Sequence, residues 1–326
     1  MRKTNFPRLE EFKIAVVIPA YRVEHHITQV IEKIPSFVGQ IIVVNDASPD
    51  QTEKVLDSIN DSRLTVVTHS ENRGVGGAMI SGYDCAVEQG ADILVKMDGD
   101  DQMDPTRILD LVQPIVEGKA DFTKGNRFLN LTELEKMPFI RRIGNWGLTF
   151  LVKAASGYWK IFDPTNGFTA MHSRVWQILN KDYIAKDYFF ESSLLIELRH
   201  HYAVVQDVSI PARYQDEESS LSIFRVLFSF PFRLLKAFFR RIGYQYYLYD
   251  FSFVSIAIFI GFLALLFGFI WGSYHWIKSI QTGIPATTGT VLLAVLPVIV
   301  GVQLWLQAIA EDMDDTPKTP VHTMKV

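Results

Sequence analysis

A single cysteine, Cys85, stands among 326 residues, which excludes an intrachain disulfide framework and any cysteine-rich zinc or iron–sulfur site. That scarcity fits a reducing, cytosolic setting for the bulk of the chain. No G-x-G-x-x-G follows the first apolar run and no G-x-x-x-x-G-K-[ST] occurs anywhere, which argues against dinucleotide and P-loop binding. Internal repeats and low-complexity segments are absent. The charged start, MRKTNFPRLEEFK, is followed by only five to seven apolar residues before Pro19. That run is too short for a signal-peptide core, so the residues before about 240 are expected to stay on the side where they are made. Charge is missing altogether from Phe251 to Trp271 and from about Thr287 to Ala310.

What is present is unevenly spread. Hydrophobic residues make up 48% of the chain and aromatics 13%, concentrated toward the C-terminus, so a fully soluble protein is excluded. The net charge of −4 hides a gradient: residues 1–123 hold 20 acids and 12 bases, residues 124–249 hold 11 and 17, and residues 250–326 hold 5 and 3. The middle third is therefore the part expected to face phosphates or anionic lipid, and nothing points to nucleic acid.

Between residues 13 and 123, β-branched runs alternate with helix-like stretches. Ile14–Ile18, Ile41–Val44, Leu64–Thr68 and Ile93–Met97 read as strands buried on both faces. Helices are expected at about 24–33, 50–60, 74–89 and 105–117, the last opened by Asp104 as cap and Pro105 at the first helical position. This alternation implies an α/β doubly wound, mostly parallel sheet that binds its ligand at the carboxyl ends of the strands.

The two charge-free runs are each long enough for a ~30 Å hydrocarbon core at ~1.5 Å per residue. Tyr244, Tyr246, Tyr247 and Tyr249 before the first run, and Trp271, Tyr274 and Trp276 after it, mark two interfacial belts. Arg225, Arg233, Lys236, Arg240 and Arg241 precede the first run, whereas the connection between the runs carries only Lys278. The positive side is cytoplasmic, which predicts a multi-pass cell-membrane protein whose large domain and acidic tail (Glu311, Asp312, Asp314, Asp315) are cytosolic. The expected divisions are 1–215 for the large domain, 216–249 for amphipathic interfacial helices, 250–310 for a membrane hairpin and 311–326 for the tail. Within the interfacial part Pro231 is expected to break or kink the helix, leaving Arg233, Lys236 and Arg240 as a basic stripe beside Phe232, Leu234, Leu235, Phe238 and Phe239. A second interfacial segment, about Ile143 to Phe162, combines Trp146, Phe150, Leu151, Tyr158 and Trp159 with Lys153 and Lys160.

The strongest chemical signal is Asp98-Gly99-Asp100-Asp101-Gln102, leaving an apolar strand. Carboxylates at i and i+2 on such a turn can converge on a hard divalent cation that takes its remaining ligands from water and a diphosphate. Pro19-Ala20-Tyr21 ends the first strand and Asn45-Asp46-Ala47-Ser48-Pro49-Asp50 the second. Both lie where a mononucleotide would sit, and a carboxylate there can accept the imino hydrogen of a uracil or guanine. Asn72-Arg73-Gly74-Val75-Gly76-Gly77-Ala78 opens a helix with small residues, which permits close backbone approach to a ligand. Adjacent histidines point different ways on either helix or strand, so His25-His26 and His200-His201 read as surface or core residues. Glu191 fits a sugar contact and a structural role equally.

In order along the chain, PAYRVE (Pro19 to Glu24), NDASPD (Asn45 to Asp50), ENRGVGGA (Glu71 to Ala78), DGDDQ (Asp98 to Gln102), GNRF (Gly125 to Phe128) and DPTNGF (Asp163 to Phe168) resemble family 2 glycosyltransferases of the GT-A fold. The resemblance covers about residues 12 to 215. It is closer to the branch of dolichol-phosphate mannosyltransferases and bacterial polyprenyl-phosphate (bactoprenol) glucosyltransferases, whose bacterial form the two C-terminal spans match. No Q-x-x-R-W motif of the processive polysaccharide synthases occurs.

The resemblance implies an inverting hexosyltransferase that moves a sugar, glucose from UDP-glucose foremost, onto polyprenyl phosphate. Other donors (GDP-mannose, a UDP-linked amino sugar) and a non-catalytic, membrane-anchored sugar-nucleotide-binding protein are the alternatives. Pro19, Ala20, Tyr21, Glu24, Asp46, Asn72 and Gly76 would line the nucleotide pocket, and Asp98, Asp100 and Gln102 would hold Mg²⁺ or Mn²⁺. Asp101 is acidic where the family is often apolar. Arg127, Arg141, Arg142 and Arg213 would meet the acceptor phosphate, with Arg127 and Asp163 as catalytic residues and Asp163 orienting acceptor or sugar. The acceptor is already an oxyanion at neutral pH, so positioning and charge screening outrank a strong base. Anionic membrane lipid and a homo-oligomer, a tetramer by family likeness, complete the implied partners.

Overall fold

The computed structural model describes residues 9–126, 139–164, 166–210 and 223–324, with backbone alone for 139–145 and 223–229. Strand β1 (Ile14–Ala20) lies inside two apolar layers. Ala15 and Val17 enter one layer, and Ile14, Val16, Ile18 and Ala20 the other, the period-two geometry that makes a strand covered on both sides read as one apolar run. β2 (Gln40–Asn45) and β4 (Ile93–Lys96) flank β1 in parallel, and β3 (Leu64–Thr68) extends the sheet beyond β2. The four predicted strands are thus present, with ends moved by at most two residues.

Helices α1 (Ile27–Glu32), α2 (Thr52–Ser58), α3 (Gly74–Glu88) and α4 (Ile108–Val116) occupy the four predicted intervals. Asp104 caps the turn that leads into α4, its Oδ1 accepting the Thr106 N–H at 3.1 Å. Three further strands complete the sheet: β5 (Phe122–Asn126), β6 (Thr169–His172) and β7 (Val205–Ser209). The order is β3-β2-β1-β4-β6-β5-β7, with β6 antiparallel to both neighbours and every other pairing parallel. Side chains of α1, α2 and α4 fill one layer. Those of α3, α5 (Phe139–Ser156), α6 (Ser173–Ile178) and α7 (Phe190–His200) fill the other. The strand order reverses between β1 and β4, which opens a crevice at their carboxyl ends.

Helix α8 (Ile223–Gly243) runs through Pro231 as one element, so the expected break does not occur. A proline inside a helix costs roughly 3 kcal/mol through one lost hydrogen bond and a steric clash. Burial of Leu234, with Phe230 and Phe238 packed against the same core, offsets a loss of that size at about 1.5–3 kcal/mol per buried large side chain.

The chain divides into two compact units, Met1–Phe238 with Pro317–Val326, and Phe239–Thr316. The expected boundary at 215 lies outside the described residues. In the second unit α9 (Phe253–Thr282) and α10 (Thr288–Asp314) are long and apolar enough to cross a membrane. They pack closely: a Cβ on Gly301 would lie 2.8 Å from the Gly261 carbonyl oxygen, the small-residue contact typical of paired membrane helices. Two charges read above as part of the basic flank and the acidic tail are buried here. Arg241 grips Asp312 with two hydrogen bonds of 2.6 and 2.9 Å, and Tyr246 Oη donates to the same carboxylate at 2.6 Å. The acidic segment is therefore divided. Glu311 to Asp314 finish α10, and the chain from Pro317 returns to the first unit, where a 3₁₀ turn (Val321–Thr323) meets Asp121.

Candidate active site

Three strand ends bring the sequence motifs together, and each is followed by a non-glycine residue in the left-handed region: Arg22 (φ 58°) after β1, Ala47 (φ 51°) after β2 and Asp101 (φ 61°) after β4. Such backbone costs about 1–3 kcal/mol per residue and persists only where the surroundings hold it. Here they do. The Arg22 N–H donates to Ser48 Oγ at 2.7 Å, the Val23 N–H to Thr52 Oγ1 at 3.2 Å, and the Asp46 N–H to the Ala20 carbonyl at 3.0 Å. Asp101 is buried and closes an ion pair with the exposed Lys33 at 2.7 Å, so this departure from the family pattern has a role in holding the turn.

Of the nucleotide-pocket residues, Pro19, Ala20 and Tyr21 stand together at the end of β1, and Tyr21 is exposed. Glu24 pins the β2 turn, accepting the Gln51 N–H at 2.6 Å. Beside it burial works against the charge of Asp50, yet hydrogen bonds from Ser48, Thr52 and the Glu24 N–H bring its pKa down to about 2. Asp46 is buried, and its carboxylate accepts from the Arg73 and Gly74 N–H groups at 2.9 and 2.8 Å and meets His69 Nδ1 at 2.6 Å. The carboxylate thus shapes the Asn72–Gly74 turn from beneath. Asn72 is exposed and donates to the Asp46 carbonyl at 3.2 Å. Gly76 requires a correction: a Cβ there would lie 2.1 Å from the Ala185 carbonyl oxygen. Its smallness admits the Ala185–Lys186 backbone and not a ligand.

The acidic turn follows β4. Asp98 is partly exposed, and Asp100 Oδ1 accepts the Gln102 N–H at 3.1 Å, which sets the turn. Among the described residues no cluster of three or more His, Cys, Asp or Glu could hold a metal unaided. The donor set fits a cation held by two carboxylates and an amide oxygen, with phosphate and water completing the shell. His200 and His201 instead lie 3.4 Å from Glu197. Burial works against the charge of that carboxylate, but the two histidines and the Asn180 N–H hold its pKa at about 2.

Two buried lysines complete the floor, and the sequence reading misses both. Lys96 is 2% exposed, with Nζ 2.7 Å from Asp98 Oδ1 and 3.3 Å from Glu191 Oε1. Burial works to lower its pKa, and the charges of Asp98 and Glu191 outweigh burial and hold it above the ordinary lysine value. Lys124, on β5, donates to the Asn166 carbonyl. Burial pushes its pKa down to about 8, against the pull of Asp163 and Glu191. The signal was available in Ile93–Met97, where one charge interrupts a buried run. Asp163 itself is fully buried, and Asn166 Nδ2 ties its loop to the Gly125 carbonyl at 2.7 Å. His69, held between Asp46 and Ser81 Oγ (2.9 Å), is a third residue the sequence reading misses, and it has no cue in the sequence.

Arg127 and Arg213, and the side chains of Arg141 and Arg142, lie outside the described residues. On α8, Arg233 is 2.8 Å from Asp187 and over the Phe189 ring at 4.4 Å, which takes it out of the free basic stripe. Lys236 is exposed beside Phe232, Leu235 and Phe239, whereas Leu234 is buried. In the second amphipathic segment α5 ends at Ser156. Trp146, Phe150 and Phe162 are exposed, but Tyr158 is in the core, where its hydroxyl donates to the Ala203 carbonyl at 2.6 Å.

The model of the family described as Glycosyl transferase family 2 matches residues 15–179. A UDP-N-acetylglucosamine–dolichyl-phosphate N-acetylglucosaminyltransferase of Methanococcus voltae is 31% identical over 62% of this chain and 86% of its own length. A dolichol-phosphate mannosyltransferase of Pyrococcus furiosus is 27% identical over 66% of this chain and 62% of its own. The glucosyl-3-phosphoglycerate synthase of Mycobacterium tuberculosis, crystallised with Mn²⁺, UDP and glucosyl-3-phosphoglycerate, shares the fold with a TM-score of 0.55, at 20% identity over 74% of this chain and 86% of that one.

Proposed function

This chain belongs to glycosyl transferase family 2, and we propose that it transfers glucose from UDP-glucose to polyprenyl phosphate at the cytoplasmic leaflet. The observation that carries the reading is the Asp98–Gln102 turn, set beside the ends of β1 and β2 in a chain that also bears two membrane-length helices. A bound Mg²⁺ or Mn²⁺ would supply charge neutralisation to the departing diphosphate, held by Asp98, Asp100 and Gln102. Tyr21 and the turn stitched by Asp46, Asn72 and Glu24 would hold the nucleoside. Arg127, Arg141, Arg142 and Arg213 would screen the lipid phosphate, and Asp163 with Lys124 would set the sugar-side wall.

In the reaction one oxygen of the lipid phosphate attacks the anomeric carbon as the bond to UDP breaks, and the electron pair leaves with UDP. One in-line displacement turns an α-linked donor into a β-linked product. The acceptor oxyanion needs no proton removed, so the protein contributes position and charge.

The cytoplasmic placement draws on chain continuity as well as on the basic flank. The chain leaves the first unit after Phe238 and rejoins it at Pro317, so two complete spans between those points return it to its starting side. Lys236 and the exposed Phe232, Leu235 and Phe239 suit contact with anionic lipid. A second donor, UDP-N-acetylglucosamine, is favoured by the likeness to the Methanococcus protein. Initial rates of the purified full chain with UDP-glucose, UDP-N-acetylglucosamine and GDP-mannose on one polyprenyl phosphate test the reading; a preference for either of the latter two overturns the glucose assignment.

A further inference from the structure

Strand β4 is covered on both faces, yet Lys96, two residues on from Leu94, enters the layer shared with α3 and α7, and its register partner on β1 is Val17. A buried ammonium costs several kcal/mol unless paired, and an apolar side chain would fill that space more favourably. Its pairing is specific: one Asp98 oxygen at 2.7 Å and one Glu191 oxygen at 3.3 Å. Room is made for it as well. A Cβ on Gly167 would lie 2.4 Å from Lys96 Nζ and 3.2 Å from Asp98 Oδ2, so glycine at this point of the DPTNGF loop leaves space for the ammonium.

We propose that Lys96 is a positioning residue of the donor site: it anchors Asp98 by one oxygen, links it to Glu191, and offsets one negative charge where the cation and diphosphate bind. The inference rests on the donor-site reading above. Without Lys96, Asp98 and Glu191 lose their shared counter-charge, so the site should grip a divalent cation more tightly while aligning the donor less well. With Glu191 neutralised, Lys96 bears wholly on Asp98, and cation binding should weaken. The two changes therefore act in opposite directions on one equilibrium, which loss of packing alone would not produce.

The test uses the detergent-solubilised full chain and Mn²⁺, with free Mn²⁺ counted by electron paramagnetic resonance, in the presence and absence of UDP. Lys96→Met is expected to lower the Mn²⁺ Kd on the order of tenfold, the direction required by removal of a unit positive charge a few ångströms from a divalent ion. It should lower kcat more than it changes KM for the sugar nucleotide. Glu191→Gln is expected to raise the Mn²⁺ Kd. Unchanged Mn²⁺ affinity in a folded Lys96→Met protein overturns the inference while leaving the donor-site reading intact. If Lys96→Met does not fold, Glu191→Gln decides: an unchanged or lowered Kd overturns it. Wild-type protein that binds neither Mn²⁺ nor UDP overturns the donor-site reading and this inference together.

Discussion

Asp121 and His322, 201 residues apart in sequence, are joined at 2.7 Å between carboxylate and imidazole, and the same carboxylate accepts the backbone N–H groups of Val321 and His322 at 2.9 and 3.0 Å. It also accepts the Val204 N–H at 2.8 Å. The His322 ring stacks on His172 with centroids 4.4 Å apart. One buried acid thus closes the first unit over its own C-terminal segment. Asp121→Asn should destabilise that unit by about 1–3 kcal/mol, the cost of weakening buried charge-assisted hydrogen bonds. Urea unfolding followed by tryptophan fluorescence should show it, together with faster proteolysis after Pro317.

The same contact carries a pH dependence. Burial, aided by the charges of His322 and Arg174, takes the His172 pKa from 6.5 down to about 4, with Asp92 and Asp121 pulling the other way. The unfolded chain therefore takes up this proton first. Stability from His172 is complete above pH 6.5 and falls as pH drops toward 4, at up to about 1.4 kcal/mol per pH unit. His172→Asn keeps an acceptor for the Arg174 N–H that His172 now caps at 3.2 Å and should flatten the stability profile across that window. A profile as steep as wild type would assign the dependence to other groups.

At the other end of the site, Asp98→Asn and Asp100→Asn should each lower metal-dependent transfer by at least about 100-fold and leave the circular dichroism spectrum unchanged. An asparagine Oδ1 can still accept from Lys96 Nζ at position 98 and from the Gln102 N–H at position 100, and Glu191 remains paired with Lys96, so the fold should survive either change. Full turnover in either variant would remove the metal assignment.

Arg233 and Lys236 share a helix but not a function. Arg233→Glu breaks the pair with Asp187, in the segment whose Lys186 carbonyl accepts the Gly77 N–H at 3.1 Å and so supports the turn over Asp46. It should lower activity on a short water-soluble acceptor as well as on embedded lipid. Lys236→Glu should lower only the latter, by weakening an attraction of about 1 kcal/mol to an anionic surface. Restoration of soluble-acceptor activity by Asp187→Arg in the Arg233→Glu background is the diagnostic result.

Much of this architecture is legible in the residues. β1, β2 and β4 announce themselves because strands covered on both faces must be apolar; β3 is apolar enough to be found, but it lies at the sheet edge with none of its residues buried, contrary to the expectation above. The Asp98–Gln102 turn stands out because carboxylates follow a buried run. β5, β6 and β7 escape notice for the converse reason. Phe122-Thr-Lys-Gly-Asn, Thr169-Ala-Met-His and Val205-Gln-Asp-Val-Ser mix polar side chains whose partners lie far away in sequence: Lys124 on Asn166, and Asp207 on Asn126. The same non-locality conceals Asp46–His69 and Arg241–Asp312. Pro231 misleads because local propensity is outweighed by packing of the turn that follows.

The central claim is sugar transfer to a lipid phosphate, and it is tested most directly by incubating the purified full chain, in vesicles containing polyprenyl phosphate, with UDP-[¹⁴C]glucose and Mg²⁺ or Mn²⁺. The account predicts label in an organic-extractable, mild-acid-labile lipid with a β-linked glucosyl phosphate, absent with chelator and absent in Asp100→Asn. Vesicles that acquire no labelled lipid from any UDP- or GDP-sugar, while the protein still binds nucleotide, would contradict it.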